Sequence, residues 1–263
     1  MASLTPAIEP LVSMSNQPSP NLNKLKRLLT KLQIFSSNSS TNDQGLKILN
    51  YTVSILASFA PDLSISPNTE SILNNLSSTI FMARYVPRFW GFTDALDGLV
   101  NGTWAPPADS TEHSPENLKT LTTVASCQAL SMCLYHPCEL LAWFGWTAKI
   151  ENRYLNPDRM SAYSCRAWLV YILLSVYAGG LKMKELQEKR GGGGNGNGKK
   201  EGESEEFDAQ MKSLKTRMLR DALYIVPALT WSLPQWATNP LVGKKTVNTL
   251  CFVEAMVNLN DLR

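Results

Sequence analysis

The sequence predicts an all-α, membrane-associated protein, with amphipathic helices towards its N-terminus and one or two apolar membrane segments towards its C-terminus. Three observations carry this. Apolar residues recur three and four apart through most of the chain, and no alternating strand pattern bounded by hairpin turns interrupts them. Residues 167–181, AWLVYILLSVYAGGL, run for fifteen positions without a charge. Hydrophobic residues make up 44% of the 263, enough for a sizeable apolar core.

The elements follow in order. Residues 1–20 are a polar, proline-containing leader that reads as disordered. Residues 21–186 form the helical region. Its first helix carries Leu22, Leu25, Leu28, Leu29, Leu32 and Phe35 on one face, with Lys24, Lys26, Arg27 and Lys31 on the rest. A short helix with a leucine face and four cations suits a membrane surface; it equally suits a helix packed on a core with a solvated basic side. Leu46, Leu49, Val53, Leu56 and Ala60 continue the spacing in a second helix, with Asn42 and Asp43 as candidate N-caps. Ile72, Leu76, Ile80 and the Phe81/Tyr85 pair form a third, running into Arg84 and Arg88. Pro87 should end or kink it, and Phe89, Phe92, Leu96 and Leu99 resume it. A proline-rich loop at residues 101–117 follows. The fourth helix spans about 119–150 with a break expected at Pro137, and the fifth about 157–188.

Residues 187–208, QEKRGGGGNGNGKKEGESEEFD, have the composition of a flexible linker, glycine-rich and then acidic. Residues 209–263 are a C-terminal apolar helical segment. Within it, residues 222–242 lack charge, but Pro227 and Pro234 favour a kinked or interface-lying element over a straight span.

A spanning helix needs about 20 apolar residues. Extending the charge-free stretch back to Ser161 reaches 21 residues and includes Arg166, which can snorkel from near one end. Trp168, Tyr171 and Tyr177 suit an interfacial belt, and Lys182, Lys184, Lys189 and Arg190 suit the opposite anchor. A buried helix of a soluble bundle shares this periodicity.

Net charge is +3, so bulk charge does not point to nucleic acid. No secretory signal pattern leads the chain, and the five cysteines are expected to be reduced thiols. Residues 135–146, YHPCELLAWFGW, set His136, Cys138 and Glu139 together just after Cys133. Zinc needs three or four converging ligands, and a catalytic thiol needs a base and a polar setting. The stretch has no C-x-x-C or H-E-x-x-H spacing and lies in an apolar helix, so it reads as structural. Nor does the chain carry a phosphate loop, a nucleophile elbow or a dinucleotide fingerprint. No cofactor, metal or enzymatic activity is expected.

Four stretches resemble the peroxin-11 family, in a divergent form. In DQGLKILNY, Lys47, Asn50 and Tyr51 stand where that family's first helix has a similar pattern. In ARYVPRFWG, Arg84, Arg88 and Gly91 match a basic element, with Tyr85 and Pro87 departing from it. Glu139 and Trp143 match an acidic/aromatic stretch in which Leu140 replaces a common histidine. Ser164 with Trp168 resembles the entry to a late apolar segment. The resemblance implies a protein of the peroxisomal membrane that promotes membrane elongation and peroxisome division, by amphipathic helix insertion and self-association, alongside a dynamin-like GTPase. Its partners would be peroxisomal lipids with anionic headgroups, and not nucleic acid. On this reading Lys24, Lys26, Arg27, Lys31, Arg84 and Arg88 meet lipid phosphates while Phe81, Tyr85 and Phe89 sit at the acyl boundary. The alternatives are a membrane channel for small metabolites, also implied by the resemblance, and a non-enzymatic helical scaffold.

Overall fold

The computed structural model describes residues 39–108, 110, 112–150, 155–192 and 201–261. Those residues form eight helices and no strand. They are α1 (Ser39–Phe59), α2 (Pro67–Ala83), α3 (Tyr85–Arg88), α4 (Gly91–Val100), α5 (Pro115–Ala148), α6 (Pro157–Gly192), α7 (Glu201–Ser232) and α8 (Lys244–Asp261). Contacts divide the chain into two units, Met1–Asn42 and Asp43–Arg263. Of the first, only the opening turn of α1 is described. The basic helix expected at residues 22–35 lies outside the described residues.

Local sequence explains the boundaries. Ser66 and Ser114 cap α2 and α5, their hydroxyls accepting from the Thr69 and Asn117 amides at 3.3 Å. Pro67 and Pro115 follow each cap at a position where a missing N–H costs nothing. Lys149 closes α5 in the left-handed region at φ 53°, and the Ile150 amide returns to the Gly145 carbonyl at 2.9 Å.

Four expectations are corrected. Ser39 is already helical, so Asn42 and Asp43 lie inside α1 and Asp43 is an ion-pair partner instead of a cap. α5 runs unbroken through Pro137 and α7 through Pro227. A proline removes one backbone bond; in helices of 34 and 32 residues packed along α6 that loss ends neither. Both ends of the expected linker are helical, because residues 187–192 belong to α6 and 201–208 to α7. Finally, the C-terminal segment is two helices, the end of α7 and all of α8, joined by turns at 233–243.

The heart of the second unit is an antiparallel sheaf in which α5 packs on α6 and α6 on α7. Ser114 at the start of α5 bonds Glu185 near the end of α6, and Arg166 near the start of α6 bonds the carbonyl of Ser232 at the end of α7. α8 packs back on α7, and α4 on α5. Small residues line the contacts: Ala95, Ala129, Ala142, Ala228 and Ala255 are all completely buried. Close helix approach through small side chains suits packing in a bilayer. Gly179 is one such point, where an added Cβ would lie 2.9 Å from Met218 Cγ of α7. The 101–114 loop folds over the sheaf. Trp104 covers Gly98 of α4 and meets the Tyr171 ring edge-on at 6.3 Å, and His113 Nδ1 sits 2.7 Å from Glu185.

Candidate functional site

Ion pairs sit inside the bundle beside its apolar core, and many large apolar side chains are exposed on its outside. Arg84 donates to Asp43 through two nitrogens, Nε to Oδ1 at 2.9 Å and Nη2 to Oδ2 at 3.2 Å. Arg88 bridges onward to Glu139 Oε1 at 2.8 Å, and the Tyr135 hydroxyl donates to the same carboxylate oxygen. This chain joins α1, α3 and α5. Burial alone would raise the pKa of Asp43. The Arg88 and Arg84 charges and the Arg84 hydrogen bond outweigh burial and hold it below the ordinary 3.8. A second buried cluster joins α1, α7 and α8: Lys47 pairs with Glu254, and Arg220 Nε approaches the other oxygen of Glu254 at 3.4 Å. Ser77 donates to Asn50 at 3.0 Å, and Ser175 donates to Asp221 at 2.6 Å. Ionisable groups among apolar helices are tolerated when they face one another inside the bundle.

The His136 region is structural in its contacts. The His136 ring lies against Gly91, where an added Cβ would come within 2.4 Å of Cε1, and meets Tyr135 edge-on at 4.9 Å. Glu139 is committed to Arg88 and Tyr135. Among the described residues no group of three His, Cys, Asp or Glu side chains could hold a metal ion.

Large apolar side chains point outward from many helices. Examples are Leu49 and Leu56 on α1, Leu130, Leu134 and Phe144 on α5, Leu173 on α6, Leu229 on α7 and Met256 on α8, all between 39% and 58% exposed. A soluble domain leaves single apolar residues at its surface and buries its charges only sparingly. Here large apolar side chains are exposed on helix after helix, while Lys47, Arg84, Glu139, Glu185 and Glu254 are buried. α6 is also long and apolar enough to cross a membrane, with a mean hydropathy of 1.3 in its best stretch, and only 22% of that stretch is buried. From Arg166 to Lys182 the helix rises about 24 Å, which with snorkelling at both ends matches a hydrocarbon core of about 30 Å.

The two ends of the sheaf differ. One collects Trp143 and Trp146 of α5, Tyr163 and Trp168 of α6, and Trp231 and Trp236 at and beyond the end of α7. The Trp146 and Trp236 rings lie 6.5 Å apart, and Trp168 stacks on Trp231 at 6.3 Å. The other collects Lys182, Lys184, Lys189 and Arg190 of α6 with Lys212, Lys215 and Arg217 of α7, and Glu185, Glu188, Glu205, Glu206 and Asp208 stand among them. Aromatic side chains gather at membrane–water interfaces, and lysine and arginine gather in the cytoplasmic flanks of membrane helices.

The family model of Peroxisomal biogenesis factor 11 (PEX11) matches residues 29–258. The chain belongs to this family. It is a peroxisomal membrane protein, and the PEX11 family acts in peroxisome biogenesis and proliferation. Comparison with curated proteins and with solved structures returns no match.

Within this PEX11 chain the expected lipid-binding residues separate. Lys24, Lys26, Arg27 and Lys31 lie outside the described residues. Arg84 and Arg88 turn inward: the Arg84 side chain is 3% exposed and both guanidinium groups are committed to carboxylates, so neither is presented to a headgroup. Tyr85 is buried against Phe81, whose ring is 5.2 Å away, and against Trp146. Phe89 does face outward, beside Trp90, which is 66% exposed. Trp168 faces α7 and Tyr171 meets Trp104 of the 101–114 loop, and only Tyr177 of that trio points out. Sequence reading named Asp43 only as a candidate cap and missed its ion pair, and it missed Glu254, Val86 and Trp90. Glu254 had a signal, a lone acid within the apolar run CFVEAMV; Val86 and Trp90 had none beyond their apolar character.

Proposed function

We propose that this PEX11-family protein elongates and bends the peroxisomal membrane ahead of division. The α5–α7 sheaf anchors it, α6 crosses the bilayer, and the α2–α4 arm acts as a wedge in one leaflet. The large apolar side chains exposed on the outside, together with the ion pairs buried inside, carry this reading. Ile72 and Leu76 on α2, Val86, Phe89 and Trp90 around α3, and Leu96, Leu99 and Val100 on α4 all project outward. An apolar edge inserted about 5–10 Å into a leaflet expands that leaflet alone, and many copies convert the mismatch into curvature. Self-association would concentrate the copies, and the constricted tubule would be the substrate of a dynamin-like GTPase.

Purified full-length protein reconstituted with anionic liposomes tests the wedge. Electron microscopy is expected to show tubules, which Val86→Ser with Phe89→Ser and Trp90→Ser reduce while vesicle binding persists. Unchanged tubulation by the triple variant would rule out this edge as the bending element.

A further inference from the structure

A cavity of about 80 Å³ opens at the cationic end of the sheaf, between the 101–114 loop and helices α5, α6 and α7. Trp104, Gln128, Ser175, Lys182 and Arg217 supply its polar and aromatic wall. A volume of this size has room for two or three waters, the scale of one phosphate group. Lys182 is half-buried and Arg217 exposed, and Arg217 is near enough to oppose the Lys182 charge. Glu112 on the loop partly offsets it. Ser175 of the wall donates to Asp221, which does not itself line the cavity and feels both Arg217 and Arg220. Lys182 and Arg217 thus face one another as like charges on the cavity wall, with Glu112 and Asp221 as carboxylates near them.

We propose that this cavity is a binding site for a phosphate group, presented by the headgroup of an anionic phospholipid. A phosphomonoester carries about −1.5 to −2 charge and three strong acceptor oxygens, which suits a lysine and an arginine sharing one wall better than a carboxylate does. The location favours a lipid over a soluble anion. Lys182 ends the charge-free stretch of α6, so on the spanning reading the Lys182 end of the cavity lies where that helix emerges into the headgroup layer. The proposal rests on the reading that α6 crosses the bilayer.

The test uses full-length protein in nanodiscs of phosphatidylcholine alone, or doped with phosphatidic acid or phosphatidylserine. Retained lipid is counted by native mass spectrometry after release into detergent. Phosphatidic acid is expected to be retained in preference to the other two. Lys182→Gln with Arg217→Gln should weaken that retention about ten-fold or more, while Lys184→Gln, an exposed neighbour, leaves it unchanged. Gln128→Leu, which alters the wall without altering charge, should weaken it too, and circular dichroism confirms that each variant keeps its helices. Equal retention of the three lipids, or equal losses from Lys184→Gln and the double variant, would overturn the site. Displacement by inorganic phosphate at micromolar concentration would assign the cavity to a soluble anion and overturn the lipid source. A chain that fails to enter nanodiscs at all would instead refute the spanning of α6.

Discussion

Arg84 and Asp43 meet edge to edge, two nitrogens on two oxygens, at a point where the Arg84 side chain is 3% exposed and the Asp43 side chain 19%. A guanidinium so placed ties α1 to the end of α2. A paired, buried arginine has a different signature under mutation from one that binds lipid, and the first prediction follows from this. Arg84→Ala leaves a carboxylate without its fork partner, and stability should fall by about 3 kcal/mol. In detergent, the thermal midpoint followed by circular dichroism should drop. Replacing Arg84 and Asp43 together with methionine should recover most of the loss, because no lone charge remains. A lipid-contact role would give a normal midpoint and weaker vesicle binding.

The same pair sets an acid limb. The Asp43 carboxyl titrates below its ordinary 3.8 in the folded chain, so the unfolded chain binds its proton first as pH falls. Its contribution to stability is therefore complete above about pH 4 and is lost as pH drops through the lowered folded value. Asp43→Asn should flatten that part of the stability profile measured by thermal melts between neutral and acid pH, while lowering stability at neutral pH.

Leu173 lies midway between Arg166 and Lys182 on α6 and is 50% exposed. If that face meets acyl chains, Leu173→Lys places a charge at the centre of a spanning helix at a cost of about 2.5–3.5 kcal/mol. The variant should be partly extracted from organelles by alkaline carbonate, whereas the unaltered chain stays in the pellet. On a water-exposed face the same substitution would be near neutral.

The cysteines probe the same boundary. Cys127 projects outward from α5, and Cys251 is completely buried in α8. If that face of α5 meets acyl chains, Cys127 in intact membranes should react with a membrane-permeant maleimide in preference to a charged one. Cys251 should react with either only after denaturation. Rapid labelling of Cys127 by the charged reagent would place that face of α5 in water.

Helix type and approximate extent were legible from the three-and-four spacing of leucines, because a helix face is written in consecutive residues. The α5, α6 and α2 segments were recovered that way, as was the resemblance to the PEX11 family, carried by order and spacing along the chain. The path through Pro137 and Pro227 was not legible. A proline's local cost is visible in sequence, but the long helix–helix contacts that outweigh it are made by residues far away.

What sequence alone determined is the class of molecule: all-helical, cation-flanked and apolar enough to live in a membrane, since composition and periodicity are local properties. What only the tertiary structure decided is which charges face inward. Arg84 and Lys47 look like surface cations when read along their own helices. They become interior ones because their carboxylate partners, Asp43 and Glu254, arrive from 41 and 207 residues away. Pairing at such separations is set by how helices pack, and in an apolar setting an unpaired charge is too costly to leave there.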